Sequence, residues 1–274
     1  MDKIIGLGNA LIDVLATLKD DTLLDELGLP KGSMQLIDDA KLQQINTKFS
    51  QMKTHLATGG SAGNAILGLA CLGAGTGFIG KVGNDHYGDF FRKNLQKNNI
   101  EDNLLTSEQL PSGVASTFIS QDGERTFGTY LGAAASLKAE DLTLEMFKGY
   151  AYLFIEGYLV QDHEMILHAI ELAKEAGLQI CLDMASYNIV ENDLEFFSLL
   201  INKYVDIVFA NEEEAKAFTG EEPEEALRVI AKKCSIAIVK VGANGSYIRK
   251  GTEEIKVSAI PVEKVLDTTG AGDY

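Results

Sequence analysis

The sequence predicts an α/β fold, in which a mostly parallel central sheet lies between two layers of helices and a small second β-sheet covers its edge. Three observations lead to this prediction. Short apolar runs alternate with amphipathic helical patterns along most of the 274 residues. Strands that are connected through helices run parallel and are covered on both faces. Two segments, residues 14–37 and 112–131, break the alternation and are expected to leave the main sheet.

The elements of the main layers follow from these patterns in chain order. Buried strands are predicted at residues 3–8, 75–82, 152–155, 178–183, 205–209 and 235–241. Amphipathic helices are predicted at residues 39–53, 62–72, 85–97, 163–175, 194–202, 212–218 and 224–233. Gly73, Gly177 and Gly220 each follow a helical pattern and are expected to end it.

The second sheet is predicted from the two irregular segments. Between residues 115 and 131, two β-rich runs are joined at Asp122-Gly123, and Asp-Gly is a strong signal for a hairpin turn. Residues 14–37 are also extended and irregular. We expect both segments to form a flap over the edge of the main sheet.

Charge and composition exclude several classes of function. The chain carries 40 acidic and 24 basic residues, a net charge of −16, so neither nucleic acid nor an anionic membrane is expected as its main partner. No apolar run approaches the length of a membrane span, and the N-terminus lacks the shape of a signal peptide. Cys71, Cys181 and Cys234 are far apart and lack CxxC spacing, which predicts reduced core cysteines in a cytoplasmic protein.

The most informative motif is Asp267-Thr268-Thr269-Gly270-Ala271-Gly272-Asp273. Its small residues allow successive backbone N–H groups to point at one anion. Asp273 follows these residues at once, as an acceptor for a proton. An anion cradle beside a base is what the transfer of a phosphoryl group to a hydroxyl requires.

Four other segments each have two interpretations. Residues 59–64 are either a glycine-rich helix start with a serine cap or a site where a ligand approaches the backbone and Asn64 binds a hydroxyl. Asp13 follows the first strand, either as a turn residue or as a ligand-binding group. Residues 211–214 begin a helix, either as partners of its dipole or as outer-sphere Mg²⁺ ligands. Residues 239–245 suit a nucleotide pocket or an ordinary hairpin.

Two near-matches to nucleotide-binding motifs fail at one position each. Residues 75–82 nearly match a P-loop, but Val82 stands where a hydroxyl group should bind Mg²⁺. Residues 6–11 begin like a dinucleotide fingerprint, but Leu11 occupies the third glycine position. The sequence therefore disfavours a P-loop enzyme and a Rossmann oxidoreductase.

Taken together, these segments resemble the signatures of the ribokinase/PfkB carbohydrate kinase family, which includes ribokinase, fructokinase and adenosine kinase. Residues 59–64, continuing through 80–85, are similar to the first signature, and residues 267–273 are similar to the second. Residues 211–214 are similar to the NxxE segment of the family. The resemblance covers residues 1–274 and implies a ribokinase-like three-layer α/β/α sandwich with a β-sheet lid.

The resemblance also implies roles for particular residues. The general base would be Asp273, and the anion hole would consist of the amides of Gly270, Ala271 and Gly272. The residues that hold the acceptor substrate would be Asp13, Gly59, Gly60, Asn64 and Glu156. The nucleotide would lie against Asn211, Lys240, Gly242 and Gly245. The metal contacts would be Asn211 and Glu214 for Mg²⁺ through water, and the backbone of Asp267 and Thr269 for K⁺.

The implied activity is ATP-dependent phosphorylation of a hydroxyl group on a sugar or a ribonucleoside, with Mg²⁺ and, as in many members, K⁺. Residues 8–13 favour a nucleoside and Glu156 favours a free sugar, so both substrate classes stay open. The family continues beyond the second signature, and we expect this chain to lack the C-terminal part of the kinase domain. The alternative is a catalytically impaired ligand-binding protein with the kinase fold. The edges of the lid would also allow pairing in a homodimer.

Overall fold

The computed structural model describes residues 2–261 and 270–273. Its strands, numbered in chain order, are β1 (Ile4–Leu7), β2 (Leu11–Thr17), β3 (Met34–Leu36), β4 (Thr54–Gly59), β5 (Thr76–Gly83), β6 (Ile100–Ser107), β7 (Gly113–Ile119), β8 (Arg125–Tyr130), β9 (Tyr152–Glu156), β10 (Gln179–Asp183), β11 (Ile207–Asn211), β12 (Ile236–Lys240), β13 (Ser246–Lys250) and β14 (Glu253–Val257). Its helices are α1 (Thr22–Leu27), α2 (Asp39–Phe49), α3 (Ser61–Cys71), α4 (His86–Lys97), α5 (His163–Glu175), α6 (Tyr187–Asn192), α7 (Leu194–Lys203), α8 (Glu212–Thr219) and α9 (Pro223–Ile230).

The main sheet has nine strands in the order β14-β13-β12-β11-β10-β9-β1-β5-β6. Neighbouring strands from β12 to β6 run parallel, and β13 and β14 add antiparallel pairs at one edge. The predicted α/β class with a mostly parallel sheet is confirmed. The strand order reverses at β1, which lies between β9 and β5. In open α/β sheets, the crevice at the carboxyl ends of the strands at such a reversal is the usual ligand site.

Helices cover both faces of this sheet. Ile5 and Leu7 of β1 point into one core cluster, which also contains residues of α5, α7, α8 and α9. Gly6 points to the opposite face, because successive residues of a strand alternate, and a Cβ atom there would collide with Ile66 of α3. The close packing of α3 on β1 sets the position of the N-terminus of α3, where the candidate site lies.

The second sheet has five strands in the order β3-β8-β7-β2-β4. β7 and β8 form the predicted antiparallel hairpin, in which Ile119 lies opposite Arg125. The sheet differs from the predicted segments in two respects, because β2 begins at Leu11 and because β4 lies outside both segments. β4 was not predicted, because three of its six residues are exposed and only Gly59 is buried, so it has no apolar pattern.

The remaining predictions for secondary structure have mixed outcomes. Gly73, Gly177 and Gly220 follow α3, α5 and α8 with φ values of 87°, 86° and 78°, so these three helix ends are confirmed. β12 and β13 form an antiparallel hairpin, which was one of the two interpretations of residues 239–245. Further elements that were not predicted are α1, α6, β6 and β14. Among the described residues, no helix combines the length and the apolar character that crossing a membrane requires.

The three cysteines differ in their environments. Cys181 is buried on β10, as predicted, and Cys234 is partly buried. Cys71 is the last residue of α3 and is exposed, so the prediction of a core position is wrong for Cys71.

Candidate active site

A cavity of about 670 Å³ lies between the two sheets, at the carboxyl ends of β1 and β9. The polar and charged side chains that line it include those of Asn9, Ser61, Glu156, Lys138, Asp162 and His163. Apolar residues of the second sheet and of the segment that follows it form much of the remaining wall, namely Leu11, Met34, Leu36, Leu131, Ala134 and Leu137. The size and the mixture of an apolar wall with a few polar groups are typical of a site for a small molecule.

Two side chains of α3 hold the carboxylate of Asp273. Its Oδ1 accepts a hydrogen bond of 3.0 Å from Ser61 Oγ, and its Oδ2 accepts one of 2.8 Å from Asn64 Nδ2. Ser61 and Asn64 lie on the same face of α3 because they are three residues apart. Ser61 also lines the cavity, so the carboxylate of Asp273 is one hydrogen bond away from a residue of the cavity wall.

Residues 270–273 form a tight turn in front of this carboxylate. The N–H of Asp273 donates to the carbonyl oxygen of Gly270 at 2.8 Å. Gly270 has a φ of 69°, in the left-handed region that glycine adopts without strain. Ala271 and Gly272 are exposed. The structure therefore brings Gly270, Ala271, Gly272 and Asp273 together at one end of α3.

Glu156 ends β9 and is 1% exposed. Its Oε1 accepts hydrogen bonds from the backbone N and from Nδ2 of Asn9, at 2.9 and 2.6 Å, and its Oε2 accepts one of 3.0 Å from the N–H of Ala62. Gly8 makes room for this group, because a Cβ atom on Gly8 would lie 2.5 Å from Oε2. The carboxylate of Glu156 therefore ties the main sheet to the β1–β2 connection and to the N-terminus of α3.

Burial raises the pKa of Glu156 to about 7, although the hydrogen bonds from Ala62 and Asn9 act in the opposite direction. The negative charge of Asp273 adds to the increase. Glu156 was predicted to bind hydroxyl groups of the substrate, and it does line the cavity. Because each of its oxygens already accepts a hydrogen bond from the protein, the contacts of Glu156 are those of a group that holds the site together.

Two glycines, Gly59 and Gly60, allow the backbone to approach neighbouring residues of the site more closely than a residue with a side chain could. Gly60 has a φ of 88°, and a Cβ atom on it would collide with the carbonyl oxygen of Asn9. A Cβ atom on Gly59 would lie 2.5 Å from Oδ1 of Asp13. Asp13 is buried within β2, opposite Ala57 of β4, and not in a loop directly after β1 as the sequence analysis expected. The difference arises because β2 begins only four residues after β1 ends.

Lys240 ends β12 and reaches across β11 to Asp183, which ends β10. Its Nζ lies 3.1 Å from Oδ2 of Asp183 and also donates to the carbonyl oxygen of Gly272. Asp183 is 6% exposed, and its Oδ1 accepts a hydrogen bond of 2.9 Å from the N–H of Ala185. Lys240 was predicted to contact the nucleotide. In the structure its ammonium group connects the main sheet to the glycine turn.

Tyr158 lies in the cavity wall, just after β9. Burial of the ring, followed by the charge of Glu156, raises the pKa of Tyr158 to about 12. The phenol is therefore protonated at neutral pH and can donate a hydrogen bond to a ligand.

Comparison with known proteins identifies the family of this chain. A family model described as pfkB family carbohydrate kinase matches residues 32–274. The chain belongs to the pfkB carbohydrate kinase family. The resemblance that the two signatures indicated is confirmed.

Relatives within the family have the same fold over nearly the whole chain. The adenosine kinase from Sinorhizobium meliloti is 33% identical, with a TM-score of 0.86 over 99% of this chain and 84% of that one. A probable sugar kinase protein from Rhizobium etli CFN 42 is also 33% identical, with a TM-score of 0.87 over 99% and 83%. The guanosine-inosine kinase of Escherichia coli K12 is 25% identical over 92% of this chain. The chain spans 61% of that relative, which is less than two thirds of its length.

Asn211 and Glu214, in the segment that resembles the NxxE segment of the family, form a reciprocal cap at the start of α8. The carboxylate of Glu214 accepts hydrogen bonds from the N–H and from Nδ2 of Asn211, at 2.8 and 2.7 Å, and Oδ1 of Asn211 accepts one of 2.8 Å from the N–H of Glu214. Burial raises the pKa of Glu214 to about 7. These contacts give both residues a capping role, and their assignment to Mg²⁺ stays a prediction.

The other predicted nucleotide and metal residues have different outcomes. Gly242 and Gly245 lie in the turn between β12 and β13, which is an antiparallel hairpin. Gly245 packs so closely that a Cβ atom would collide with the carbonyl oxygen of Val257. The nucleotide contact of these glycines stays a prediction. Asp267 and Thr269, predicted for K⁺, lie outside the described residues.

Sequence reasoning missed three residues of the site, namely Ser61, Tyr158 and Asp183. Asp183 ends a predicted strand, so the rule that ligand sites lie at the carboxyl ends of parallel strands would have found it. Ser61 was interpreted as a helix cap. Its hydrogen bond to Asp273 joins residues that are 212 positions apart, and no local pattern signals such a contact.

Proposed function

We propose that this member of the pfkB family transfers the γ-phosphoryl group of ATP to a hydroxyl group of a ribonucleoside. The observation that carries the proposal is the position of Asp273, whose carboxylate is held by Asn64 and by Ser61, a residue that lines the cavity. An alcohol is a weak nucleophile at neutral pH, so a carboxylate within hydrogen-bond reach assists by removing its proton during the transfer. Asp273 is the general base of the proposed reaction.

The glycine turn supplies the second part of the proposed mechanism. The backbone amides of Gly270, Ala271 and Gly272 stabilise the negative charge of the transferred phosphoryl group, as an anion hole. Base and anion hole belong to one turn of four residues. The hydroxyl group that loses its proton therefore lies close to the phosphoryl group that it attacks.

Mg²⁺ bound with ATP neutralises and orients the phosphates in reactions of this type. Within residues 2–261 and 270–273, no group of three or more His, Cys, Asp or Glu side chains is arranged to hold a metal ion. Asn211 and Glu214 remain the residues that we expect next to the water shell of Mg²⁺.

The apolar wall of the cavity favours a nucleoside over a free sugar. Met34 and Leu36 of β3 are 52% and 63% exposed, and both line the cavity. A flat base would cover these side chains and remove apolar surface from water, whereas the hydroxyl groups of a monosaccharide would not. The relatives include both an adenosine kinase and a probable sugar kinase at 33% identity, so the choice of a nucleoside rests on the apolar wall.

The second sheet acts as a lid in this proposal. Its strands β2 and β3 contribute Leu11, Met34 and Leu36 to the lining of the cavity. Its closure over a bound nucleoside would exclude water from the reacting groups and limit the hydrolysis of ATP.

The release of ADP tests the proposal. It is measured with Mg²⁺ and K⁺ for adenosine, guanosine, inosine, pyrimidine ribonucleosides, ribose and fructose. We expect release that depends on a nucleoside and that the Asp273→Asn variant loses, while Asp25→Asn, an exposed aspartate of α1, retains it. Release with a free sugar alone would assign the sugar kinase activity. Calorimetric binding of a nucleoside without release of ADP would identify a catalytically impaired binding protein.

A further inference from the structure

The proposed general base is attached to the rest of the protein from two sides. On the side of its carboxylate, Ser61 and Asn64 donate hydrogen bonds to Asp273. On the side of its backbone, Nζ of Lys240 donates to the carbonyl oxygen of Gly272, the preceding residue. The proposed reaction makes no use of this second attachment.

A hydrogen bond to the carbonyl of Gly272 controls the orientation of Asp273, because both groups belong to one peptide unit. The unit is planar, so the carbonyl of Gly272 and the N–H of Asp273 turn together. The N–H of Asp273 donates to the carbonyl oxygen of Gly270 and closes the turn. An ammonium group that holds the carbonyl of Gly272 therefore also holds the turn closed.

The position of the Lys240 ammonium group is itself fixed by Asp183. The side chain of Asp183 is 9% exposed and that of Lys240 is 26% exposed, with 3.1 Å between Nζ and Oδ2. Asp183 is oriented in turn, because its Oδ1 accepts the N–H of Ala185. A lysine side chain is flexible, and a buried carboxylate limits it to few rotamers.

We propose that Lys240 is a positioning residue for phosphoryl transfer: anchored by Asp183, it holds the Gly272 peptide so that Asp273 and the glycine turn keep their relative orientation. Its effect on turnover rests on the proposed function, while its effect on the turn does not. The ammonium group of Lys240 is shared between a carboxylate and a backbone carbonyl of the chain itself.

Three variants test this role in the full chain. Lys240→Met removes the ammonium group and keeps an apolar side chain of similar length. The double variant Asp183→Asn/Lys240→Met also removes the buried charge that the single variant leaves unpaired, and so protects the fold. Lys216→Met is the matched control, because Lys216 is a lysine of α8 whose side chain is 60% exposed and pairs with Glu222 on the surface.

Two measurements are made on each variant, namely the kinetics with both substrates and the hydrogen exchange of the Asp273 amide. In both Lys240 variants we expect turnover to fall about 10- to 100-fold, as a small misplacement of reacting groups causes, with KM for ATP nearly unchanged. We also expect the amide of Asp273 to exchange roughly tenfold faster, because the turn opens more often. The Lys216→Met control keeps both values.

Several outcomes would overturn the positioning role. A rise of KM for ATP at unchanged turnover would make Lys240 a nucleotide ligand. Unchanged turnover with unchanged exchange would leave Lys240 without either effect. Lower turnover without faster exchange would place its effect outside the turn.

One outcome separates the positioning of the turn from the proposed function. If the unaltered protein releases no ADP but exchange at Asp273 accelerates in the variants, the attachment of the turn by Lys240 is confirmed and the proposed function is wrong.

Discussion

The two walls of the cavity differ in construction and in chemistry. The wall from the main sheet includes polar groups at and just after strand ends, such as Glu156 and Asn9, which are hydrogen-bonded to defined partners in the protein. The wall from the second sheet presents apolar side chains, of which Met34 and Leu36 are more than half exposed. The comparison indicates that the two sheets have different roles. The main sheet orients the reacting groups, and the second sheet binds the substrate.

The largest effect is expected on the side of the main sheet, at Asp273. Asp273→Asn removes the proton acceptor while its amide retains an oxygen that can accept one of the hydrogen bonds from α3. We expect turnover to fall by a factor on the order of 10² to 10⁴, the usual range for the loss of a general base, with the fold intact by circular dichroism. Near-normal turnover would show that Asp273 is not the general base. It would also contradict the role of the main-sheet side of the site in the transfer step.

The ionisation of Glu156 provides the next effect, because burial raises its pKa in the folded protein to about 7 from the ordinary value of 4.5. The folded state binds this proton more tightly than the unfolded state. The resulting stability is therefore fully present below pH 4.5 and is lost as the pH rises through 7. Between pH 5 and pH 8 the loss is about 2 to 3 kcal/mol.

Urea unfolding at these two pH values measures this contribution of Glu156. Glu156→Gln lacks the titration, so the difference in the free energy of unfolding between the two proteins should change by that amount. A glutamine also loses one accepted hydrogen bond, which shifts its stability equally at both pH values. A difference that stays constant between pH 5 and pH 8 would show that Glu156 does not titrate in this range.

A substitution at Gly60 tests how tightly the N-terminus of α3 packs against the β1–β2 connection, where Gly60 approaches the carbonyl oxygen of Asn9. Gly60→Ala is expected to cost roughly 1 to 3 kcal/mol from the backbone conformation alone, and more from the collision with the carbonyl oxygen of Asn9. The control is Gly123→Ala, which has a similar φ of 86° but nothing within 4 Å of its Cβ position. Equal losses of melting temperature in both variants would mean that the contact between residue 60 and Asn9 rearranges without lowering the stability of the fold.

The smallest effect is expected on the apolar wall. Leu36→Ser removes an apolar side chain that a bound base would cover, and a partly buried leucine contributes on the order of 1 kcal/mol to such a contact. We expect KM for the nucleoside to rise roughly five- to tenfold with turnover unchanged. Leu72→Ser, at an 83% exposed position after α3, should leave KM unaltered. A larger loss of turnover than of affinity at Leu36 would contradict the division between the two walls.

Much of the main sheet was predictable because its signals are local. The periodicity of residues 163–175 predicted α5 at its observed bounds, and Asp122-Gly123 predicted the turn between β7 and β8. β4 was not predictable from its own residues, because it is held by pairing with β2 and not by an apolar pattern. Edge strands of this kind depend on a partner that is distant in the sequence.

The sequence by itself determined the α/β class, the family and the candidate base, since apolar periodicity, helix caps and the glycine-rich signature are each contained in a few consecutive residues. Only the tertiary structure decided what Glu156 and Lys240 contact. Glu156 meets Asn9 across 147 positions of the chain, and Lys240 meets Asp183 across 57. These contacts exist because the parallel strands place their carboxyl ends at one edge of the sheet, and the partners at that edge are chosen by strand order and packing, which no local segment encodes.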